Sequence, residues 1–421
     1  MVIKLLEHRL QDDDILEKVY GEKNLPVVLE RCREAIKGFQ QTFPPHPLII
    51  YSAPGRTEIG GNHTDHQHGC VLAAAVDLDV LAVVDPMPGP MVIVKSEGYP
   101  EIRVDIMDTE PKKEEENSSA ALIRGVAARM QELGCKLEGF KAYITTTVPG
   151  GSGLSSSAAF EVLIGTIFND LYCENKWTPV EIAQIGQYAE NVYFGKPCGL
   201  MDQMASSVGG VVAIDFADTN APKVEAIKFD LEAHGHALCI LNSGADHADL
   251  TAEYAAITDE LKAVCNCFGK HVLREVPEDE FMEKIPQVRE AAGDRAVLRA
   301  LHVYAENRRA VEEANALRED DFERFLALVR ESGRSSATYL QNVVPCGQHR
   351  HQELLLTIAL CEQILNGRGA VRVHGGGFGG TAQAFVPLDM LEEFKAKTER
   401  VLGEDACHVL SIRPVGGIRL I

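Results

Sequence analysis

Residues Val148 to Phe160 read Val-Pro-Gly-Gly-Ser-Gly-Leu-Ser-Ser-Ser-Ala-Ala-Phe. A β-type run, Tyr143 to Thr146, enters the Pro-Gly-Gly breaker, and Ala158 to Tyr172 carries apolar residues at helical spacing. Small residues where a strand hands over to a helix let backbone N–H groups face a concavity, and the helix dipole adds partial positive charge. Such a turn binds phosphate. It lacks the lysine that follows the last glycine of a Walker A loop, so it is not a P-loop of that kind.

Three further stretches concentrate polar chemistry. Gly55 to Gly69 packs one Arg, two acids, three His and four Gly into fifteen residues directly after a strand. The histidines lack both the i, i+4 pairing of a zinc-binding helix and a cysteine partner, which argues against zinc. Glu190 and Asp202 lie at a helix end and in a glycine-led turn. Acids so placed serve as a Mg²⁺ ligand and a proton acceptor, or else stand as solvated helix-end carboxylates. Gly375 to Gly380 satisfies G-x-G-x-x-G but leads into a strand, so a dinucleotide fingerprint is excluded and a close backbone approach to a ligand remains.

Composition sets the class. With 421 residues, 45% hydrophobic and 24% charged, the chain is an ordinary globular protein large enough for two domains. A net charge of −21 would repel nucleic acid and anionic membranes, yet it tolerates a nucleotide held by local positive charge. Eleven cysteines form no framework, and Cys265-Asn-Cys267 is the one close pair, as expected of reduced thiols in a cytoplasmic protein. Asp77 and Asp79 interrupt the most hydrophobic stretch, and no run is long enough to span a membrane.

The elements that must position these residues follow from periodicity. Residues 1 to 43 read as a helical arm. Strands are expected at 48–52, 71–84, 91–96, 102–106, 211–215, 237–242, 371–374, 381–386 and 407–412. Helices are expected at 120–133 (capped by Ser118 or Ser119), 158–172, 179–193, 251–268, 290–316, 320–331, 350–366 and 389–403. The pattern predicts an α+β protein in two parts, 1–215 and 216–421.

Taken together, the motifs resemble those of the GHMP sugar-kinase superfamily, and within it the galactokinases. The resemblance runs from about Leu48 to Ile421 and includes three motifs in order. Residues 55–66 match Gly-Arg-x-Asn-x-Ile-Gly-Glu-His-x-Asp-Tyr in part. Gly153-Leu-Ser-Ser-Ser-Ala158 matches the phosphate loop, Cys198-Gly-Leu-Met-Asp-Gln203 matches Cys-Gly-x-Met-Asp-Gln, and Gly375–Gly380 matches the third, glycine-rich motif. The resemblance implies a two-domain fold with the active site in the interdomain cleft. It also implies ATP and Mg²⁺ as cofactors and transfer of phosphate to the anomeric hydroxyl of galactose. Arg56 and Asp202 would flank that hydroxyl. Asn62, His63, Asp65, Gly199 and Tyr254 would contact the sugar. Gly150, Gly151, Ser152, Gly153, Leu154, Ser155, Ser156 and Ser157 would hold ATP, and Ser156 and Glu190 would hold the metal. Small-molecule sugar and ATP are then the partners of a monomer or weak homo-oligomer.

Departures from the pattern bear on substrate. The family's Asn is Glu58, its Glu is Asn62, its Tyr is His66, and His374 stands where Thr is usual. Asn62 in place of an acid beside the sugar's carbon 6 leaves galacturonate or another galacto-configured sugar open as the alternative to galactose. A non-catalytic sugar sensor of the same fold is the rival from another class. Such sensors lose the Ser-Ala step of the phosphate loop, and Ser157-Ala158 is intact.

Overall fold

The computed structural model describes residues 15–44, 48–149, 153–196, 198–245 and 250–421. Its strands are β1 (Ile49–Gly60), β2 (Cys70–Met87), β3 (Met91–Ser96), β4 (Glu101–Asp105), β5 (Gly139–Thr146), β6 (Val211–Asp215), β7 (Lys223–Ile227), β8 (His236–Asn242), β9 (Ala370–His374), β10 (Thr381–Pro387), β11 (Cys407–Leu410) and β12 (Ile418–Arg419). One sheet runs β12-β1-β2-β5-β3-β4, with β6 and β7 added beside β2; the other runs β11-β8-β10-β9. β2 is long enough to serve two neighbours: Val80 to Met87 pair with β5, and Cys70 to Ala74 pair with β6.

Two faces of β2 are buried, which explains its nearly unbroken apolar run. Alternate residues Val80, Ala82 and Val84 enter the main core with the helices Ser119–Glu132 and Ser156–Tyr172. Leu81 and Val83 point the other way, onto Ile36 and Phe39 of the helix Leu25–Thr42. The helical arm expected before residue 43 is therefore a cover for the back of the sheet, seen here from Ile15 onward, with 1–14 outside the described residues.

Asp79 is the polar exception inside that layer. It is fully buried and accepts from Tyr20 Oη, Ser52 Oγ, Arg31 Nη1 and, at 3.1 Å, Arg413 Nη1. Burial alone would raise its carboxyl, but the guanidiniums of Arg31 and Arg413 outweigh it and hold the group below the usual carboxylate range. The acid that interrupts the hydrophobic run clamps the N-terminal arm and the C-terminal segment to the central strand.

Several boundaries differ from expectation for local reasons. The 290–316 helix is two, Ile285–Ala292 and Asp294–Arg318, because Gly293 turns the chain at φ 88°. The 179–193 helix, opened by a Thr178/Glu181 capping box, stays α-helical to Ala189 and widens into a π-helical turn from Glu190 to Phe194. Asp202 lies not in a turn but in the first turn of a helix, Met201–Val208. β7 and β12 were not foreseen, and both join the first sheet. Among the described residues no helix is long and apolar enough to cross a membrane.

Removing Asp79 strands two buried guanidiniums. Asp79→Ala should cost about 3–5 kcal/mol, read as a lower urea midpoint, with the arm becoming sensitive to protease. An unchanged midpoint would mean that the clamp contributes nothing.

Candidate active site

Arg56 projects from β1 just beyond a register shift between Pro54 and Arg56. A bulge of this kind re-aims a side chain. The guanidinium is buried, so its donors need partners, and it finds them on two other motifs. Nε donates to Asp202 Oδ1 at 2.7 Å and Nη2 to Asp202 Oδ2 at 2.8 Å, a bidentate pair, while Nη1 donates to the Gly153 carbonyl. The strand backbone makes the same junction, with Arg56 N donating to Leu154 O at 3.1 Å. Asp202 also accepts from Ser155 Oγ. Burial would raise the Asp202 carboxyl, yet Arg56 and Ser155 outweigh it and keep the group below the usual range. It is an ionised acceptor at neutral pH rather than a strong base.

The helix Ser156–Tyr172 begins at this junction, and the first N–H groups of a helix have no intrahelical partner. Gly153, Leu154, Ser155, Ser156 and Ser157 lie here; Gly150, Gly151 and Ser152 are outside the described residues. Ser157 Oγ donates to Glu190 Oε1 at 3.2 Å, and Lys196 Nζ lies 3.5 Å from the same oxygen. Ser156, the expected metal ligand, is exposed at the helix start. Gln203 Nε2 bridges Glu190 Oε2 (2.7 Å) and Glu161 Oε2 (2.9 Å). Burial, then the charge of Glu190, pushes the Glu161 carboxyl well above its ordinary value. Hydroxyl and carboxylate oxygens suit Mg²⁺, which binds through one or two carboxylates plus phosphate. Among the described residues no three His, Cys, Asp or Glu gather into a protein-only cage. A cation at Glu190 would therefore draw its remaining ligands from phosphate and water.

On the other side of Asp202 stand the residues expected at the sugar. Asp65 Oδ2 lies 2.4 Å from where a Cβ on Gly199 would sit, so the two motifs meet in close contact at the bare glycine backbone. His66 Nε2 is 3.7 Å from Asp65 Oδ1. His63 adopts φ 60° and bonds the Gly376 carbonyl through Nε2 at 3.0 Å; burial pushes its imidazole down to about 4, so it is neutral. Tyr254 Oη donates to Gly377 O at 2.8 Å. The glycine-rich third motif thus supplies carbonyls that anchor His63 and Tyr254.

Asn62 is where the structure corrects the sequence reading. Its side chain is 0% exposed, and its carboxamide is fully used within the protein. Nδ2 donates to Glu58 Oε1 (2.9 Å) and Gly375 O (2.8 Å), while Oδ1 accepts from Ser336 Oγ (3.2 Å) and Asn342 Nδ2 (2.9 Å). Nothing is left for a ligand. The two departures, Glu58 and Asn62, touch each other, and Arg372 Nη2 pairs with Glu58 at 2.6 Å. The acid stands four residues earlier, on β1, in a buried ion pair, and the amide holds the third motif in place.

Sequence reasoning also missed His374, Gln203 and Glu161. His374 is buried between Thr57 Oγ1 (3.1 Å from Nε2) and Thr381 Oγ1 (2.9 Å from Nδ1), beneath Gly153. Its departure from Thr was the available signal. Glu161 lies four residues after Ser157, on the same helical face, a spacing that could have marked it.

Asn62→Asp replaces two donated bonds by carboxylate–acceptor repulsion beside Glu58. It should destabilise the protein by about 2–4 kcal/mol and lower activity toward every accepted sugar alike. A selective change in sugar preference at unchanged melting temperature would return Asn62 to the ligand pocket.

The GHMP kinase N-terminal domain model matches residues 121–210, and the galactokinase galactose-binding signature matches residues 37–86. Among solved structures, the chain is similar to Lactococcus lactis galactokinase complexed with galactose, with a TM-score of 0.77 and 24% identity over 92% of this chain and 100% of that one. It is also similar to Methanococcus jannaschii mevalonate kinase (TM-score 0.60, 15% identity, 88% and 99% covered). Streptococcus pneumoniae phosphomevalonate kinase in complex with phosphomevalonate and AMPPNP is a third (0.59, 11%, 88% and 99%). At these identities the structures establish the fold, and the two family models locate the signatures within it. The chain thus carries a GHMP kinase N-terminal domain match and a galactokinase galactose-binding signature on the fold shared by these solved kinases.

Proposed function

We propose that this protein is an ATP-dependent sugar-1-kinase that converts galactose to galactose 1-phosphate, working in the cytosol with Mg²⁺. The observation that carries this reading is the Arg56–Asp202 pair at the foot of the phosphate-loop helix. A hydroxyl lodged against Asp202 would face a nucleotide phosphate held at the helix N-terminus, which is the in-line arrangement phosphoryl transfer needs.

Each group then has a role suited to its surroundings. Asp202, kept ionised by Arg56, accepts a hydrogen bond from the anomeric hydroxyl, aligns its lone pair and receives the proton as the new O–P bond forms and the bond from the γ-phosphorus of ATP to its bridging oxygen breaks, releasing ADP. Arg56 offsets negative charge as it builds on the attacking oxygen. The Ser156–Ser157 turn and the N–H groups of its helix hold the phosphates. Glu190 would hold Mg²⁺, which would supply neutralisation of phosphate charge during transfer. Asp65, His63, Gly199 and Tyr254 shape the sugar site. Galacturonate or another galacto-configured sugar is the alternative outcome of the same assay, and the Asn62 carboxamide, committed within the protein, does not select for it.

ADP release measured over galactose, galacturonate, N-acetylgalactosamine and glucose tests the substrate. Galactose should be turned over with the highest kcat/KM, and silence across the whole panel with ATP bound would overturn the kinase reading. Asp202→Asn should lower turnover roughly 10²-fold or more, with nucleotide affinity nearly unchanged. Glu190→Gln should raise the Mg²⁺ concentration for half-maximal rate by about tenfold or more; an unaltered Mg²⁺ requirement would take Glu190 out of the metal site.

A further inference from the structure

Ser155 stands at the entry to the phosphate-loop helix with φ 57° and ψ 64°, in the left-handed region. That conformation is disfavoured for a residue with a Cβ. Serine at this position ordinarily recovers stability by accepting a hydrogen bond from an N–H of the first helical turn. Ser155 makes no such capping bond. Its hydroxyl donates instead to Asp202 Oδ2. A strained backbone and a forgone cap thus coincide with one contact, and that contact lies on the carboxylate at the centre of the site.

The contact has a consequence for access. Oδ2 accepts from Arg56 Nη2 and from Ser155, so both of its in-plane acceptor directions are filled; Oδ1 accepts from Arg56 Nε. The direction filled by Ser155 is the one that faces the phosphate loop. A hydroxyl placed for in-line attack has to enter between the carboxylate and that loop, where the Ser155 hydroxyl now sits.

We propose that Ser155 is a positioning residue that latches Asp202 until nucleotide binds, so that arrival of the phosphates frees Oδ2 for the sugar hydroxyl. The exchange follows from acceptor strength. Asp202 is neutralised by a bidentate guanidinium, whereas a nucleotide triphosphate brings several charged oxygens to the turn that carries Ser155, and hydrogen bonds to charged acceptors are the stronger ones. Rotation of one serine side chain suffices, a motion of picoseconds to nanoseconds that needs no backbone rearrangement. Nucleotide should therefore tighten sugar binding and, by linkage, sugar should tighten nucleotide binding by the same factor.

This inference rests on the sugar-kinase reading and is tested by calorimetry on the full chain, titrating galactose with and without Mg²⁺ and saturating AMPPNP. In the unmodified protein the galactose Kd should fall about tenfold when AMPPNP is present. Ser155→Ala and Ser155→Gly should both bind galactose without nucleotide as tightly as the unmodified protein does with it, and AMPPNP should then shift the Kd less than about twofold. Glycine relieves the positive φ and alanine keeps it, so agreement between the variants isolates the hydroxyl from the backbone, and melting curves confirm that both fold. A tenfold shift retained in both variants, or no shift in the unmodified protein, overturns the latch while leaving a sugar kinase intact. Binding of AMPPNP without binding of galactose or galacturonate sinks the sugar-kinase reading and the latch with it.

Discussion

A buried guanidinium cannot be left unpaired, and Arg56 is the place where that rule organises this molecule. One side chain on β1 is satisfied by Asp202 from the helix Met201–Val208 and by the Gly153 carbonyl from the phosphate loop. Three segments distant in sequence are thereby held together. Because both oxygens of Asp202 are engaged, the carboxylate has a single orientation, and its depressed pKa follows from the same geometry. Position and ionisation state come from one interaction.

The same accounting extends into the layer behind the site. Glu58 pairs with Arg372, and Glu306 accepts from Gly61 N, Asn62 N and Ser332 Oγ beside Arg309. Glu313 is buried with both carboxylate oxygens unpartnered, pressed so close to Gly60 that a Cβ there would lie 1.7 Å from it. Burial, followed by the charge of Glu306, pushes Glu313 well above the usual carboxylate range. Two guanidiniums, Arg372 and Arg309, thus face three buried carboxyl groups, Glu58, Glu306 and Glu313. Asn62 joins it to the glycine-rich turn, and the residue that the motif comparison assigned to the ligand is committed to holding the scaffold.

Glu161, Gln203 and Glu190 repeat the pattern beside the start of the helix Ser156–Tyr172. Two carboxylates share one amide, and the more buried of them is the one driven toward its neutral form. The other, which also accepts from Ser157, keeps its place at the start of a π-helical turn. A local widening of the helix and a shared amide together fix the position of the Glu190 carboxylate.

Period and punctuation in the sequence determined most of the elements. A two-residue alternation, a 3.6-residue repeat, Thr178 with Glu181 and Gly134 are local signals, and local signals are legible without a fold. The α+β class and the order of motifs followed from them, as did the strand-to-helix turn that opens onto Arg56. Contacts between segments hundreds of residues apart were not legible, since no local energy reports them. The short strand Ile418–Arg419 exists only because β1 offers an unpaired edge, and Gly293 breaks a helix whose apolar pattern runs on through it. Asp79 reads in sequence as an interruption and in three dimensions as a clamp. Asn62 reads as a ligand contact until its four hydrogen bonds are counted. In each case the residue's type was plain from the start, but its partners are brought within reach only when the chain closes on itself, and for a buried polar group the partners decide the role.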